Sequence, residues 1–156
     1  MSLDNVREYL GRFGAADRIR EFDVSSATVA LAAEALGCEP QRIAKSMAFD
    51  VDGQPVLIVC AGDFKVSNTK FKDRFAAKAR MLSPDDTESL IGHAIGGVCP
   101  FAVKPEVTIY LDESLRRFET VFPACGSANS AIELTIRELE DFTPHAGWVD
   151  VCVIKE

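Results

Sequence analysis

"IAKSMAFDVDGQPVLIVCAG", residues 43–62, decides how the rest of the chain is to be read. Two apolar runs, 43–50 and 55–62, flank "VDGQ". Asp-Gly between such runs signals a tight hairpin, because both residues tolerate positive φ. In an extended chain alternate side chains share a face. Ile43, Lys45, Met47 and Phe49 therefore point one way, and Ala44, Ser46 and Ala48 the other. Lys45 interrupts the bulky apolar side. A buried ammonium is costly unless it is paired or bound to a ligand. Either this strand lies at an edge and the lysine reaches water, or the lysine works in a pocket.

Upstream of the hairpin, Leu3, Val6, Leu10 and Phe13 form one stripe, which predicts a helix over 3–13 with Ser2 as N-cap. "RIREFD" follows as a short strand. "SATVALAAEALG" reads as a helix opening at Ser25 or Ser26 and stopping at Gly37. Downstream, Ser67 caps a basic helix, "ARMLS" reads as a strand, and Ser83-Pro84 opens a further helix. "EVTIYLD" is an expected strand, "ESLRRFET" a short helix and "SAIELTI" a strand. Thr135 and Glu138 then form a capping box for "IRELEDF", and "WVDVCVIK" closes as a strand. Six or seven strands interleaved with short helices, one hairpin among them, predict an α/β (α+β) fold on a mixed sheet. No GxGxxG or P-loop pattern appears.

The length of 156 residues predicts a single domain over 1–156. No apolar run reaches the roughly 20 residues of a membrane helix, and the acidic amphipathic start is unlike a signal peptide; a cytoplasmic protein without a membrane partner is expected. Five scattered cysteines, with no CxxC pair, and only two histidines supply no zinc-like spacing. A metal site is therefore not expected. The net charge of −7 disfavours a general DNA binder. Yet "KVSNTKFKDRFAAKAR", residues 65–80, is locally +5, leaving −12 for the remainder. Such a face is either plain solvated helix or a contact for one defined phosphate backbone.

The loop "AIGGVCPF", residues 94–101, is the second stretch with chemical promise. Gly96 and Gly97 let a ligand approach the backbone, whose N–H groups can hold a carbonyl oxygen or anion; a tight turn between core elements has the same appearance. Cys99 with His93 suggests a thiol nucleophile, but no orienting third group can be named. "PACGSANS", residues 123–130, is a polar turn or a second pocket wall.

Four blocks in order, "TVALAAEALGCEPQRIAKSMAF", "PVLIVCAGDFKVSNTKF", "IGGVCPF" and "GSANSAIELTIRELEDFT", resemble the YbaK/prolyl-tRNA-synthetase-associated editing family. The likeness runs over about residues 22–153. Members of that family are free-standing or inserted domains that hydrolyse wrongly charged aminoacyl-tRNA. The resemblance implies a partly barrel-like mixed sheet and neither metal nor organic cofactor. It places the family's lysine on Lys45 and its GxxxP loop on Gly96 to Pro100, making Lys45, Gly96 and Gly97 the catalytic candidates. Ser46, Asp63, Val98, Cys99, Pro100, Ser127 and Asn129 become candidate substrate contacts, and Lys65, Lys70, Lys72 and Arg74 candidate contacts to tRNA. The implied partners are the acceptor end of mischarged tRNA, that for proline first, and prolyl-tRNA synthetase. A non-catalytic aminoacyl- or tRNA-binding module is the alternative. Some subfamilies carry a histidine before the last strands, where this chain has Phe122 to Ser127 without one. The amino acid removed is thus left open among alanine, cysteine, serine, threonine and non-protein amino acids.

Overall fold

A computed structural model describes residues 2–155. Helix α1 (Ser2–Gly11) buries Val6 and Leu10 as the stripe predicts, but Phe13 lies beyond its end and is exposed. Ser2 is itself helical, and its hydroxyl bonds His93 Nδ1. Strand β1 (Arg20–Glu21) is only two residues long. Helix α2 (Val29–Leu36) starts two to three residues later than expected: its N-cap is Thr28, whose hydroxyl accepts from Leu31 N–H. Gly37 ends it in the left-handed conformation that glycine permits.

The hairpin forms as read. β2 (Ile43–Val51) and β3 (Gln54–Ala61) pair antiparallel from Ala44↔Ala61 to Val51↔Gln54. Asp52 (φ 50°) and Gly53 (φ 87°) make the turn, and Asp50 Oδ1 accepts the Gly53 N–H. Next come β4 (Phe64–Val66), helix α3 (Asn68–Phe75) capped by Ser67, and α4 (Pro84–Ile91) capped by Ser83. β5 (Thr108–Asp112) leads into a 3₁₀ turn, Glu113–Arg117, and β6 (Thr120–Pro123). β7 (Ser130–Ala131) and β8 (Leu134–Thr135) precede α5 (Ile136–Phe142), where the capping box is complete. β9 (Gly147–Val149) and β10 (Cys152–Ile154) finish the chain.

Six strands form one curled mixed sheet in the order β8-β6-β2-β3-β5-β9. β1 pairs with β7, and β10 with β4, as separate two-stranded ribbons. Ala44, Ala48, Leu57 and Val59 face a core built with α1, α4 and α5. On the opposite face Ile43 packs with Ala32, Ala33 and Phe122 under α2, while Phe49, Ile58 and Cys60 pack with Phe71 of α3. Lys45 stands between these two clusters. At the far sheet edge, Trp148 of β9 donates its indole N–H to Glu140 at 3.0 Å beneath the Arg116 guanidinium.

Four expected elements differ. "ARMLS" makes only one rung, Met81↔Phe49, because Ser83 and Pro84 begin a helix at once. "ESLRRFET" is a 3₁₀ turn followed by β6, with Asp112 capping the turn through Ser114 N–H. "SAIELTI" splits between β7 and β8, which pair with different strands. "WVDVCVIK" breaks at Asp150, where buried Asp112 accepts Val151 N–H at 3.0 Å.

Candidate active site

β2 has no continuous neighbour on its outer edge. β6 runs alongside only Ile43 and Ala44. Backbone bonds resume further on, with Leu82 N–H to Ala48 C=O at 3.0 Å and Asp50 N–H to Arg80 C=O at 2.8 Å. Peptide groups in a strand alternate in direction every residue. Ser46 shares the parity of Ala48 and Asp50, so its N–H and C=O face this uncovered stretch. An unpaired rung of this kind is available to a ligand.

A cavity of about 260 Å³ opens at that gap. Lys45, Ser46 and Met47 form its floor, the 26–29 segment and Ala32 one wall, and Ile95, Gly96 and Val98 the other. Lys45 is half-buried and has no hydrogen-bond or ion-pair partner among the described residues. The hydroxyls of Ser26 and Ser46 are buried and equally unpartnered. Gly96 adopts φ 96°, and a Cβ there would lie 3.2 Å from Ala27 Cβ and 3.4 Å from Ala128 Cβ. A side chain at residue 96 would be strained by that φ and would crowd the loop against Ala27 and Ala128. The N–H groups of Gly96 and Val98 have no backbone acceptor among the described residues.

The other expected residues lie elsewhere. Gly97 is buried against the 126–127 backbone, where a Cβ would come within 2.6 Å of Gly126 C, and its N–H is bonded to Ala94 C=O. Pro100 lines a separate groove with Tyr9 and Arg12. Asp63 forms a two-pronged pair with Arg117, at 2.6 and 3.1 Å. Ser127 donates to Asn129 and contacts Ser130 at 2.6 Å, while Asn129 donates to Phe22 C=O. Both lie outside the cavity lining, and Ser127 contacts Ser130, which does line it. Cys99 is fully buried with Sγ 3.5 Å from His93 Nε2. Nε2 donates to Phe101 C=O at 2.7 Å. Burial pushes the Cys99 thiol up to about 12 and the imidazole below its ordinary value.

Of the basic residues, Lys70 is bonded to Asp150 at 2.9 Å and to Cys152 C=O, and the Arg74 guanidinium lies over Phe75 and Tyr110. Lys65 and Lys72 are exposed. Lys72 lines a second depression of about 400 Å³ with Lys78, Asn68 and Thr69. Ser26, Phe122, Ala124, Ser130 and Ala131 are cavity residues that sequence reasoning missed. Only the polar "GSANS" turn hinted at any of them.

A lysine in a gap of a mixed sheet, facing a glycine loop, can be compared with known proteins. The family profile described as "Aminoacyl-tRNA editing domain" matches residues 23–142. The chain belongs to that family. The editing domain is 52% identical over 153 residues to the uncharacterized protein YwhH of Bacillus subtilis (strain 168), covering 97% of this chain and 98% of YwhH. It is 31% identical over 109 residues to the proline–tRNA ligase of Geobacillus thermodenitrificans (strain NG80-2), spanning 69% of this chain but only 19% of the ligase. Among solved structures, a candidate trans-editing enzyme for prolyl tRNA synthetase superposes with TM-score 0.86 at 28% identity, covering 99% of this chain and 97% of that one. A hypothetical protein superposes with TM-score 0.84 at 27% identity. The mixed, curled sheet with its short helices is the architecture of these editing-domain neighbours.

Proposed function

We propose that the editing domain is a deacylase that hydrolyses the ester of mischarged aminoacyl-tRNA in trans, with tRNA for proline as its leading substrate. The observation that carries this reading is Lys45, an ammonium between two apolar clusters with no partner among the described residues, at a cavity flanked by loop N–H groups equally without one. At about 260 Å³ the cavity falls near the lower end of ligand pockets, which run from roughly 300 Å³ upward. It suits an aminoacyl group with part of its ribose.

In this reading the Lys45 ammonium and the N–H groups of Gly96 and Val98 surround the ester carbonyl and stabilise the oxyanion that forms on it. Water attacks the carbonyl carbon, the acyl carbon–oxygen bond breaks, and the departing ribose oxygen takes the proton. The neighbouring ribose hydroxyl orients the water. No thiol attack is involved, since the cavity lining contains no cysteine. Exposed Lys65, Lys72 and Lys78 receive the tRNA backbone. They lie on the segment whose helix packs on the sheet face that carries Lys45. Related proline–tRNA ligases make prolyl-tRNA synthetase the fitting partner.

The test is a deacylation panel. Wild-type protein and Lys45→Ala are incubated with proline tRNA carrying alanine, cysteine, serine, threonine, 2-aminobutyrate or proline. One or two wrong amino acids should be removed and proline spared. Lys45→Ala should lower kcat/KM by about 10²–10³, the range for losing one oxyanion stabiliser. Absence of turnover by the wild type with tRNA binding retained would establish the binding module instead.

A further inference from the structure

Residues 25–28, Ser-Ser-Ala-Thr, offer three hydroxyls at the start of α2. Two have local work. Thr28 Oγ1 accepts Leu31 N–H as the helix cap, and Ser25 Oγ accepts Ala27 N–H at 3.2 Å. Ser26 has none: it is 7% exposed and belongs to the cavity lining, and its Oγ is buried without a partner among the described residues. Its position is nonetheless fixed. Ser26 N–H donates to Ala128 C=O at 2.6 Å, and the adjoining Ala27 packs on Gly96. A rigidly held hydroxyl, desolvated and unbonded, marks a place where a ligand supplies the missing partner.

The chemistry of the lining says which group that is. The cavity holds one cation, Lys45, and no carboxylate. On the deacylase reading, on which this inference rests, an aminoacyl ester brings a carbonyl and an α-amino group. Lys45 and the loop N–H groups only donate, so they match the carbonyl. The α-amino group needs acceptors. Thr28 is occupied by the helix cap, and Ser130 is engaged with Ser127. Ser26 Oγ and Ser46 Oγ are the lining hydroxyls with no partner at all among the described residues, and the Ser46 carbonyl lies at the uncovered edge. We propose that Ser26 is a substrate-binding residue whose hydroxyl, with that of Ser46, accepts hydrogen bonds from the α-amino group of the bound aminoacyl ester.

The experiment pairs ligands that differ in that one group. Wild type, Ser26→Ala and Ser26→Thr are assayed on alanyl-tRNA and propionyl-tRNA for proline. The three proteins are also titrated calorimetrically with the non-hydrolysable 3′-alanylamino, 3′-serylamino and 3′-propionylamino forms of 3′-deoxyadenosine. Ser26→Ala should weaken alanyl ligands about tenfold, the scale of one hydrogen bond to a polar or charged group. It should leave propionyl ligands within about twofold, and Ser26→Thr should restore the alanyl preference. An equal loss on alanyl and propionyl ligands would overturn the assignment as merely structural. A loss confined to the seryl ligand would overturn it in favour of a side-chain contact. The amide titrations read the contact without turnover. If the wild type binds them but hydrolyses nothing, the deacylase reading fails while the Ser26 assignment is still decided. Binding of none of the three by the wild type, together with no turnover of alanyl-tRNA, overturns both.

Discussion

Cys99 and His93 have the spacing of a nucleophile and its base, yet their surroundings disarm them. With the thiol held up at about 12 by burial, it stays protonated at pH 7. His93 Nε2 is committed to Phe101 C=O, and Nδ1 to Ser2. The pair ties the 93–101 loop to the start of α1. Cys99→Ser should therefore keep the proposed deacylation within about threefold of wild type, and iodoacetamide should leave that activity intact in the native protein; loss of turnover in either assay would revive thiol catalysis. Lys45 was legible at this scale because strand alternation gives every side chain a face, and a charge on an apolar face stands out. Ser26 was not. Four capping-type or small residues in a row can start a helix at several points, and the cap falls on Thr28, with Ser26 N–H bonded to Ala128 C=O and Ala27 lying against Gly96.

At the scale of elements, capping motifs and the Asp-Gly turn were readable because their determinants are local. The Thr135–Glu138 box is complete, and Arg18 adds a bidentate contact to Glu138. Arg18 is the main cause that lowers the Glu138 carboxyl from 4.5 to about 2. A depressed carboxylate stabilises the fold fully above its ordinary value and loses that contribution as pH falls toward the folded value. Both side chains remain partly exposed, so the contribution is only about 0.5–1 kcal/mol. Glu138→Gln should lower stability by that amount at pH 7. In urea titrations the gap from wild type should narrow as pH falls from about 4.5 toward 2. A gap unchanged over that window would assign the effect to packing. β4 and β6 escaped notice because strands of three and four residues carry too little alternation to register. The division of "WVDVCVIK" depends on Asp112, 39 residues from Val151, a distance no local pattern spans.

Over the whole molecule, the mixed sheet was legible from the order of its elements, whereas the curl and the gap beside Ser46 arise from which strands meet. Charge was readable in amount but not in availability. The segment of residues 65–80 is +5, yet Lys70 is bonded to Asp150 and Arg74 lies on aromatic rings. Of the three exposed lysines proposed to meet the tRNA backbone, Lys72 and Lys78 line one depression. Each phosphate contact to a single strand contributes about 0.7 to the slope of log affinity against log salt. Replacing both lysines with alanine should flatten that slope for tRNA by about 1.4, and an unchanged slope would move the backbone contact elsewhere. Trp148 adds a practical property. It is the one tryptophan of the chain, and it sits on β9, three strands from β2 in the sheet order. Three inter-strand spacings are about 14 Å. Its emission, set by Arg116 and Glu140, should follow global unfolding and stay unchanged when a ligand occupies the cavity at Lys45, so that occupancy shows only as a shift of the unfolding midpoint.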